Sequence, residues 1–452
     1  MDKVLVANRG EIALRVVRAC RALGLKTVAI YSSADEHALH VTEADEAVCV
    51  GPPRALESYL NVGAILSAAE RSGADAVHPG YGFLAENAQF AHACREAGLA
   101  FIGPSAEAIE AMGDKARARE LAAAAGTPTI PGSTGTATLA EALELADGVG
   151  YPVLVKAAAG GGGRGIRIAR DAGELRTVFE QAALEAGAAF GDSSLYIERF
   201  LDPARHVEVQ VLGDGRGEVV HLYERECSLQ RRRQKLIEES PSPALDAETR
   251  AAMASAALRV ARAVDYESAG TVEFLLDVAT GSFYFIEMNT RIQVEHPVTE
   301  MVTGVDLVQE QLRIARGEGL SFGQADVALR GAAIEVRVNA EDPAQGFMPS
   351  PGEITTFRPP GGDGVRVDTA AYAGYRVPPF YDSLIAKLIV WGEDRAEAIA
   401  RTEDALRSFH VDGIATTIPF ALELLADPQV RAGEYDVAFV ERRLAQSVRI
   451  SS

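Results

Sequence analysis

The chain has 452 residues, with 44 lysines and arginines against 64 aspartates and glutamates, a formal charge of −20. Hydrophobic residues make up 48% and charged residues 24%, which supplies large cores and excludes a wholly disordered polyanion. A field of this sign repels nucleic acid and anionic lipid, so an anionic ligand has to be caught by a local cluster of positive charge.

At roughly 150 residues per domain the length suggests about three domains. The four cysteines (Cys20, Cys49, Cys94, Cys227) lie far apart without a CxxC pair, so neither a zinc ribbon nor a disulfide framework is expected and free thiols fit a cytoplasmic protein. The opening MDKVLV reads as a first β-strand, not a signal peptide. The long uncharged stretch from Leu121 to Ala140 is broken by Gly126, Pro128 and Pro131, so it is not a membrane span.

The first hundred residues alternate strand and helix. Val4–Ala7 is a short apolar run; Ile12, Val16, Cys20 and Leu23 follow at helical spacing, with Gly24 where a helix would stop. Thr27–Tyr31, Asp75–His78 and Ala100–Ile102 read as further strands, and the alternation implies a parallel doubly wound sheet. The first turn, Ala7-Asn8-Arg9-Gly10, lacks the glycine fingerprint of a dinucleotide site. One helix is predicted over Ser105–Ala125, a Pro/Gly/Thr-rich linker over Thr127–Gly135, a short helix over Leu139–Ala146, and strands over Tyr151–Lys156, Ile166–Ala169 and Leu195–Phe200. Beyond 200, Gly213-Asp214-Gly215 between two apolar runs predicts a hairpin, Asp246 opens a helix, and Thr271–Asp277 with Ser282–Asn289 predicts a second hairpin. Strands at Ile334–Val338 and Leu384–Val390 and a helix near Ala396–Ser408 complete an α+β unit.

Four constellations carry candidate chemistry. Lys156 precedes the run Gly160–Gly165, which contains Arg164. The β-like Ile166-Arg167-Ile168 follows and no GK[ST] is present, so the run suits a lid whose backbone N–H groups close over phosphates; a flexible hairpin tip is the alternative. Glu287 and Asn289 share one strand face and Glu273 lies on the partner strand. All three offer oxygen ligands suited to Mg²⁺ or Mn²⁺, or else a solvated sheet face. In an extended segment Arg291, Gln293 and Glu295 would project together, offering a cation, an amide and a carboxylate for a small anion and a general base. Arg231, Arg233 and Lys235, if extended, would share a face drawing phosphate or bicarbonate; a solvated basic run is the alternative. His206 alone reads as structural.

These motifs together resemble the biotin carboxylases of the ATP-grasp superfamily. The resemblance covers essentially the whole chain, through ANRGEIA (7–13), HPGYGFLAEN (78–87), IGPS (102–105), MGDK (112–115), VKAAAGGGGRG (155–165), RHVEVQV (205–211), QRRRQK (230–235), EMNTRIQVEHPVTE (287–300), RVNAEDP (337–343) and YDSLIAKLI (381–389). It implies a mixed α/β and α+β multidomain fold: a doubly wound, Rossmann-like unit (1–112), a linker and ATP-grasp lid (113–200), a catalytic core (201–330) and a C-terminal domain (331–452). It implies that Lys115, Lys156, Gly161, Gly162, Gly163, Arg164, Gly165, Glu198, Leu201, His206, Gln230 and Arg233 contact ATP. Glu273, Glu287 and Asn289 would hold two Mg²⁺ or Mn²⁺ ions. Lys235, Arg291, Gln293 and the Val294 backbone would hold bicarbonate, with Glu295, Arg291 and Lys235 catalytic, and Tyr81, Gly82 and Arg337 would lie near biotin.

Arg233 departs from the family pattern, where histidine is common. No Ala-Met-Lys-Met attachment site is present, so biotin is expected from a carrier protein or domain. Also implied are a homodimer and a partner carboxyltransferase subunit. The resemblance implies the ATP- and bicarbonate-dependent half-reaction of an acyl-CoA carboxylase; the competing readings are the same part of a pyruvate, methylcrotonyl-CoA or urea carboxylase, an ATP-grasp ligase joining a carboxylate to an amine, and a non-catalytic ATP-binding regulatory protein.

Overall fold

The computed structural model describes residues 1–133, 135–158 and 166–451. Near the N-terminus β1 (Lys3–Val6), β2 (Lys26–Ser32), β3 (Glu46–Gly51), β4 (Ala76–His78) and β5 (Ala100–Phe101) form a parallel sheet in the order β3-β2-β1-β4-β5. Helix α1 (Gly10–Ala22) buries Ile12, Val16 and Cys20 against it. The edge strand β3 has no counterpart in the sequence reading, although Ala47-Val48-Cys49-Val50 is a short apolar run; most of its side chains are exposed or half exposed. Arg9 of the first turn donates to both carboxylate oxygens of Asp35, at 2.7 and 2.8 Å, and lies over the Tyr381 ring. That arginine is therefore a buried structural link.

The helix predicted over Ser105–Ala125 is two helices, α2 (Ala106–Gly113) and α3 (Lys115–Ala124). Gly113 is a poor helix former, and extended Asp114 turns its carboxylate onto the N–H groups of Ala116 and Arg117, which starts a new helix. Asp114→Ala should cost about 1 kcal/mol of stability, read as a lowered denaturation midpoint. The predicted linker after α3 is tied down instead. Phe285 N–H donates to Pro128 O at 2.7 Å, Arg199 N–H to Pro131 O at 2.8 Å, and Ser133 N–H to Ile197 O at 2.9 Å.

Strands β6 (Val153–Ala157), β7 (Ile166–Ala169) and β8 (Leu195–Arg199), with α4 (Leu139–Val149) and α5 (Ala172–Phe190) packed on them, make an antiparallel sheet in the order β7-β6-β8. It has its own core of Val153, Val155, Leu175 and Ile197. The run Gly161–Gly165, with Arg164, lies outside the described residues.

The largest sheet has eight strands: β9 (Ala204–Asp214), β10 (Val219–Arg231), β11 (Gln234–Ser240), β12 (Glu267–Asp277), β13 (Phe283–Asn289), β14 (Ala332–Asn339), β15 (Val365–Thr369) and β16 (Leu384–Gly392), in the order β13-β12-β9-β10-β11-β14-β16-β15. It runs unbroken through residues on both sides of 330. Period-two alternation decides what each face does. On β9, Val207, Val209 and Val211 pack under α6 (Ala247–Arg262), whereas His206, Glu208 and Gln210 point the other way. Over that polar face sits α7 (His296–Thr303), with Glu295 at its N-cap. Among the described residues no helix is long and apolar enough to cross a membrane.

Candidate active site

Strand register places four charged residues in one row across the polar face. Glu287 on β13 pairs with Glu273 on β12, Glu273 with Glu208 on β9, and Glu208 with Arg225 on β10. Three carboxylates side by side on neighbouring strands repel one another unless cations intervene. Lys235 supplies one. Its Nζ donates to Glu208 at 2.6 Å and Glu273 at 3.4 Å, and it also pairs with Glu295. Arg225, wholly buried, donates to Glu208 and Gln210 at 2.6 Å each and to the Thr271 and Thr299 hydroxyls. Burial works against the Lys235 charge, but Cys227, Glu208, Glu273 and Glu295 outweigh it and raise its proton affinity well above the ordinary lysine value.

Glu273 is the junction of the site. It accepts from Asn289 at 2.7 Å and Gln293 at 3.0 Å, and His206 Nε2 lies 3.0 Å away. Burial pushes its carboxyl up; Lys235 and His206 overcome that and hold it well below the usual carboxylate range. Arg291 donates to Glu86 at 2.8 Å, to the Gln293 side-chain oxygen at 2.8 Å and to Asn289 Oδ1 at 3.0 Å. The segment is not extended as predicted. It bends after Asn289 and turns into α7 at Glu295, and this bend gathers Arg291, Gln293 and Glu295 around the carboxylate row. Glu295 is fully buried and receives Arg337 at 2.9 Å as well as Lys235. Burial raises its carboxyl, yet Lys235, Arg337 and Arg225 together keep it well below 4.5.

The basic run corrects a second expectation. Arg231, Arg233 and Lys235 do not share a face, because Arg232 and Arg233 have φ of 48° and 66° and form the two-residue tip between β10 and β11. Arg231 stacks on Phe347, Arg233 is exposed on the tip, and Lys235 alone points into the site.

Beside the row, a cavity opens between the three-stranded sheet and the β12–β13 hairpin. Tyr196, Phe285 and Ile286 give it apolar walls, and Lys115, Arg119 and Lys156 bring cations. Glu198 pairs with both Lys156 and Arg119, and Lys115 lies 3.2 Å from Glu287. Apolar walls for a flat ring, with cations toward the carboxylate row, suit a nucleoside polyphosphate. Leu201 packs with Ile130 and Ala204, and Gln230 is buried on β10.

Tyr81 and Gly82 sit in a turn shaped by Asn8, whose Nδ2 donates to Pro79 O and Tyr81 O at 2.7 Å each. Gly80 there has φ +63°, and a Cβ on it would meet Asn8 Nδ2 at 3.0 Å, so glycine is required. The Tyr81 hydroxyl pairs with Glu11, Glu11 lies 3.1 Å from Lys387, and Lys387 Nζ donates to Val294 O at 2.9 Å. The structure thus joins Tyr81, Val294 and Arg337 to one buried charged layer. Sequence reasoning missed Glu208, Arg225, Glu86, Arg119, Glu11 and Lys387. Only the charges inside otherwise apolar strands, such as Lys387 in LIAKLIV, carried a signal.

The donor set fits a divalent cation. Glu273 and Glu287 face each other across the hairpin, Asn289 adds an amide oxygen, and His206, Glu208 and Glu273 also converge within metal-binding reach.

A small antiparallel lid sheet over a carboxylate-bearing hairpin, with a cation-lined cleft between them, is the architecture of an ATP-grasp ligase. Family models match the N-terminal domain of biotin carboxylase over residues 1–109, the ATP-binding domain of the carbamoyl-phosphate synthase L chain over 114–322, and the biotin carboxylase C-terminal domain over 335–442. The chain is 57% identical over 442 residues to biotin carboxylase 1 of Bacillus subtilis, covering 98% of each. It is 54% identical to a subunit of the pyruvate carboxylase of Methanothermobacter thermautotrophicus, covering 97% of this chain and 89% of that one. The biotin carboxylase of Campylobacter jejuni, solved as a β-γ-ATP complex, superposes with a TM-score of 0.94 at 47% identity, covering 98% of each chain. The biotin carboxylase domain dimer of Hydrogenobacter thermophilus 2-oxoglutarate carboxylase, solved with MgADP and bicarbonate, gives 0.92 at 51%, again covering 98% of each. The chain belongs to the biotin carboxylase family, whose members couple ATP to the carboxylation of biotin.

Proposed function

We propose that this chain carboxylates carrier-borne biotin with ATP and bicarbonate through carboxyphosphate, as the first half-reaction of an acyl-CoA carboxylase. The observation that carries the reading is Lys235 bridging Glu208, Glu273 and Glu295 beside Arg291 and Gln293. That arrangement offers one small anion a cation, an amide and a base.

In this mechanism Lys235, Arg291, Gln293 and the Val294 N–H hold bicarbonate, and Glu295 takes its proton. The bicarbonate oxygen attacks the γ-phosphorus of ATP, ADP leaves, and carboxyphosphate remains. Glu273, Glu287 and Asn289 would hold Mg²⁺ or Mn²⁺, which when bound neutralises charge on the transferring phosphoryl group. Lys115, Lys156, Glu198, Leu201, His206 and Gln230 serve the nucleotide. Carboxyphosphate releases CO₂ and phosphate, the phosphate takes the N1′ proton of biotin near Tyr81, Gly82 and Arg337, and biotin N1′ attacks CO₂. Arg291 steadies the enolate-like biotin anion, a fixed charge placed where charge develops. The assembly implied is a homodimer with a biotin carrier and a carboxyltransferase subunit. A 2-oxo acid carboxylase is the second reading, favoured by the likeness to parts of pyruvate and 2-oxoglutarate carboxylases.

The test is ADP release with Mg-ATP and bicarbonate, with and without biotin. Turnover that needs bicarbonate and rises with biotin is expected; turnover indifferent to both overturns the reading in favour of another ATP-grasp ligase. Arg291→Ala should lose about tenfold more in biotin carboxylation than in bicarbonate-dependent ATP cleavage. Equal losses would restrict Arg291 to holding bicarbonate.

A further inference from the structure

Behind Glu295 lies a second pair of carboxylates to which the mechanism above gives no role. Glu238 on β11 and Glu335 on β14 are directly opposite in register and both are fully buried. Glu238 Oε1 accepts from Arg337 Nε at 2.6 Å, and the same guanidinium reaches Glu295 Oε2 at 2.9 Å. The other Glu238 oxygen and both Glu335 oxygens are buried with no hydrogen-bond partner. Arg337 is thus one cation shared by two carboxylates, with a third beside them. A dry layer of this kind does not keep every carboxylate ionised.

Resting on the biotin carboxylase reading, we propose that Glu238 is a positioning residue: its protonation state sets how tightly Arg337 holds Glu295, and so how strong a base Glu295 is. When Glu238 is ionised it competes for Arg337, and its negative charge raises the proton affinity of Glu295. When Glu238 takes a proton, Arg337 belongs to Glu295 alone and the base is weakened. The groups facing Glu238 are Arg337 and Glu335 from β14, Glu295 from the α7 N-cap, Lys235 on its own strand and Cys227 on β10; Lys387 on β16 faces Glu335. Burial outweighs the pull of Arg337 and moves the Glu238 carboxyl up to about 7. Burial likewise pushes the Glu335 carboxyl well above the usual range, against the pull of Lys387.

The sign follows. Proton removal from bicarbonate should speed up as pH rises through the Glu238 ionisation. Bicarbonate-dependent ATP cleavage is measured between about pH 6 and about pH 8.5 with Mg-ATP and the bicarbonate ion, not total carbonate, held saturating at each pH. Wild type should show a limb near neutrality. Glu238→Gln should lose that limb and run about tenfold slower at the alkaline end, with KM for Mg-ATP unchanged, and Glu238→Asp should restore a limb. Glu335→Gln should keep it, because Glu335 does not touch Arg337 or Glu295 through a hydrogen bond.

A wild-type limb that survives in Glu238→Gln, or vanishes equally in Glu335→Gln, overturns the proposal. Infrared difference spectra of the substrate-free wild type supply a readout independent of turnover and of any variant's folding. A buried carboxyl should lose its proton over the same pH interval, and no such band overturns the proposal. Loss of biotin and bicarbonate dependence in the wild type would instead sink the functional reading, leaving the infrared result to decide on Glu238.

Discussion

Glu295→Gln should lower bicarbonate-dependent ATP cleavage by about 10²- to 10⁴-fold while Mg-ATP affinity stays within about twofold of wild type. Glu295 touches Lys235 and Arg337 and none of Lys115, Lys156 and Glu198 in the cleft. Nucleotide binding measured by calorimetry therefore separates the two effects. Loss of nucleotide binding in parallel with turnover would make Glu295 a structural counter-ion, and wild-type turnover would remove it from the mechanism.

The magnitude rests on a tension in the site. A general base works best with a proton affinity near the working pH, but Lys235, Arg337 and Arg225 hold Glu295 far below that. Bicarbonate resolves it in the proposed mechanism. When Lys235 turns from Glu295 to the substrate anion, the carboxylate loses its nearest counter-ion and becomes a better base as the substrate arrives. Lys235 is then both the anion's ligand and the switch of the base.

Strand and helix positions near the sites were legible because they follow local rules. Alternation along RHVEVQV separates a valine face from a polar face, and Glu273, Glu287 and Asn289 read correctly as one cluster because a hairpin fixes their register. The bend at 290–295 was not legible: Arg291, Gln293 and Glu295 do meet, but through a turn closed by contacts with Glu86 and Glu273, distant in sequence. The tip at Arg232 and Arg233 was missed because both take left-handed φ without glycine or asparagine to announce it. The partners that set proton affinities, Glu208, Arg225, Glu238 and Lys387, come from strands whose neighbours only the sheet order reveals. Pairing across a sheet is a long-range choice, which no local window contains.

Lys387→Met should destabilise the protein by about 3 to 5 kcal/mol near neutral pH and raise KM for bicarbonate without changing Mg-ATP affinity. Lys387 is fully buried between Glu11 at 3.1 Å, Asp368 at 3.8 Å and the Val294 carbonyl at 2.9 Å. Asp368 retains Arg366, but Glu11 keeps only the Tyr81 hydroxyl, and burial already pushes its carboxyl up against the pull of Lys387. In the variant Glu11 holds its proton to higher pH when folded than when unfolded. That preference stabilises below the unfolded value and is lost as pH rises, so the stability deficit should be greatest near neutrality and narrow on acidification. Denaturant melts at several pH values check this; a pH-independent deficit would point to lost packing alone. The double change Glu11→Gln with Lys387→Met removes the stranded charge and should recover most of the stability. It should not recover the bicarbonate KM, because the Val294 carbonyl still lacks the donor that orients the segment meant to hold the anion. Recovery of both would show that Lys387 only neutralises charge.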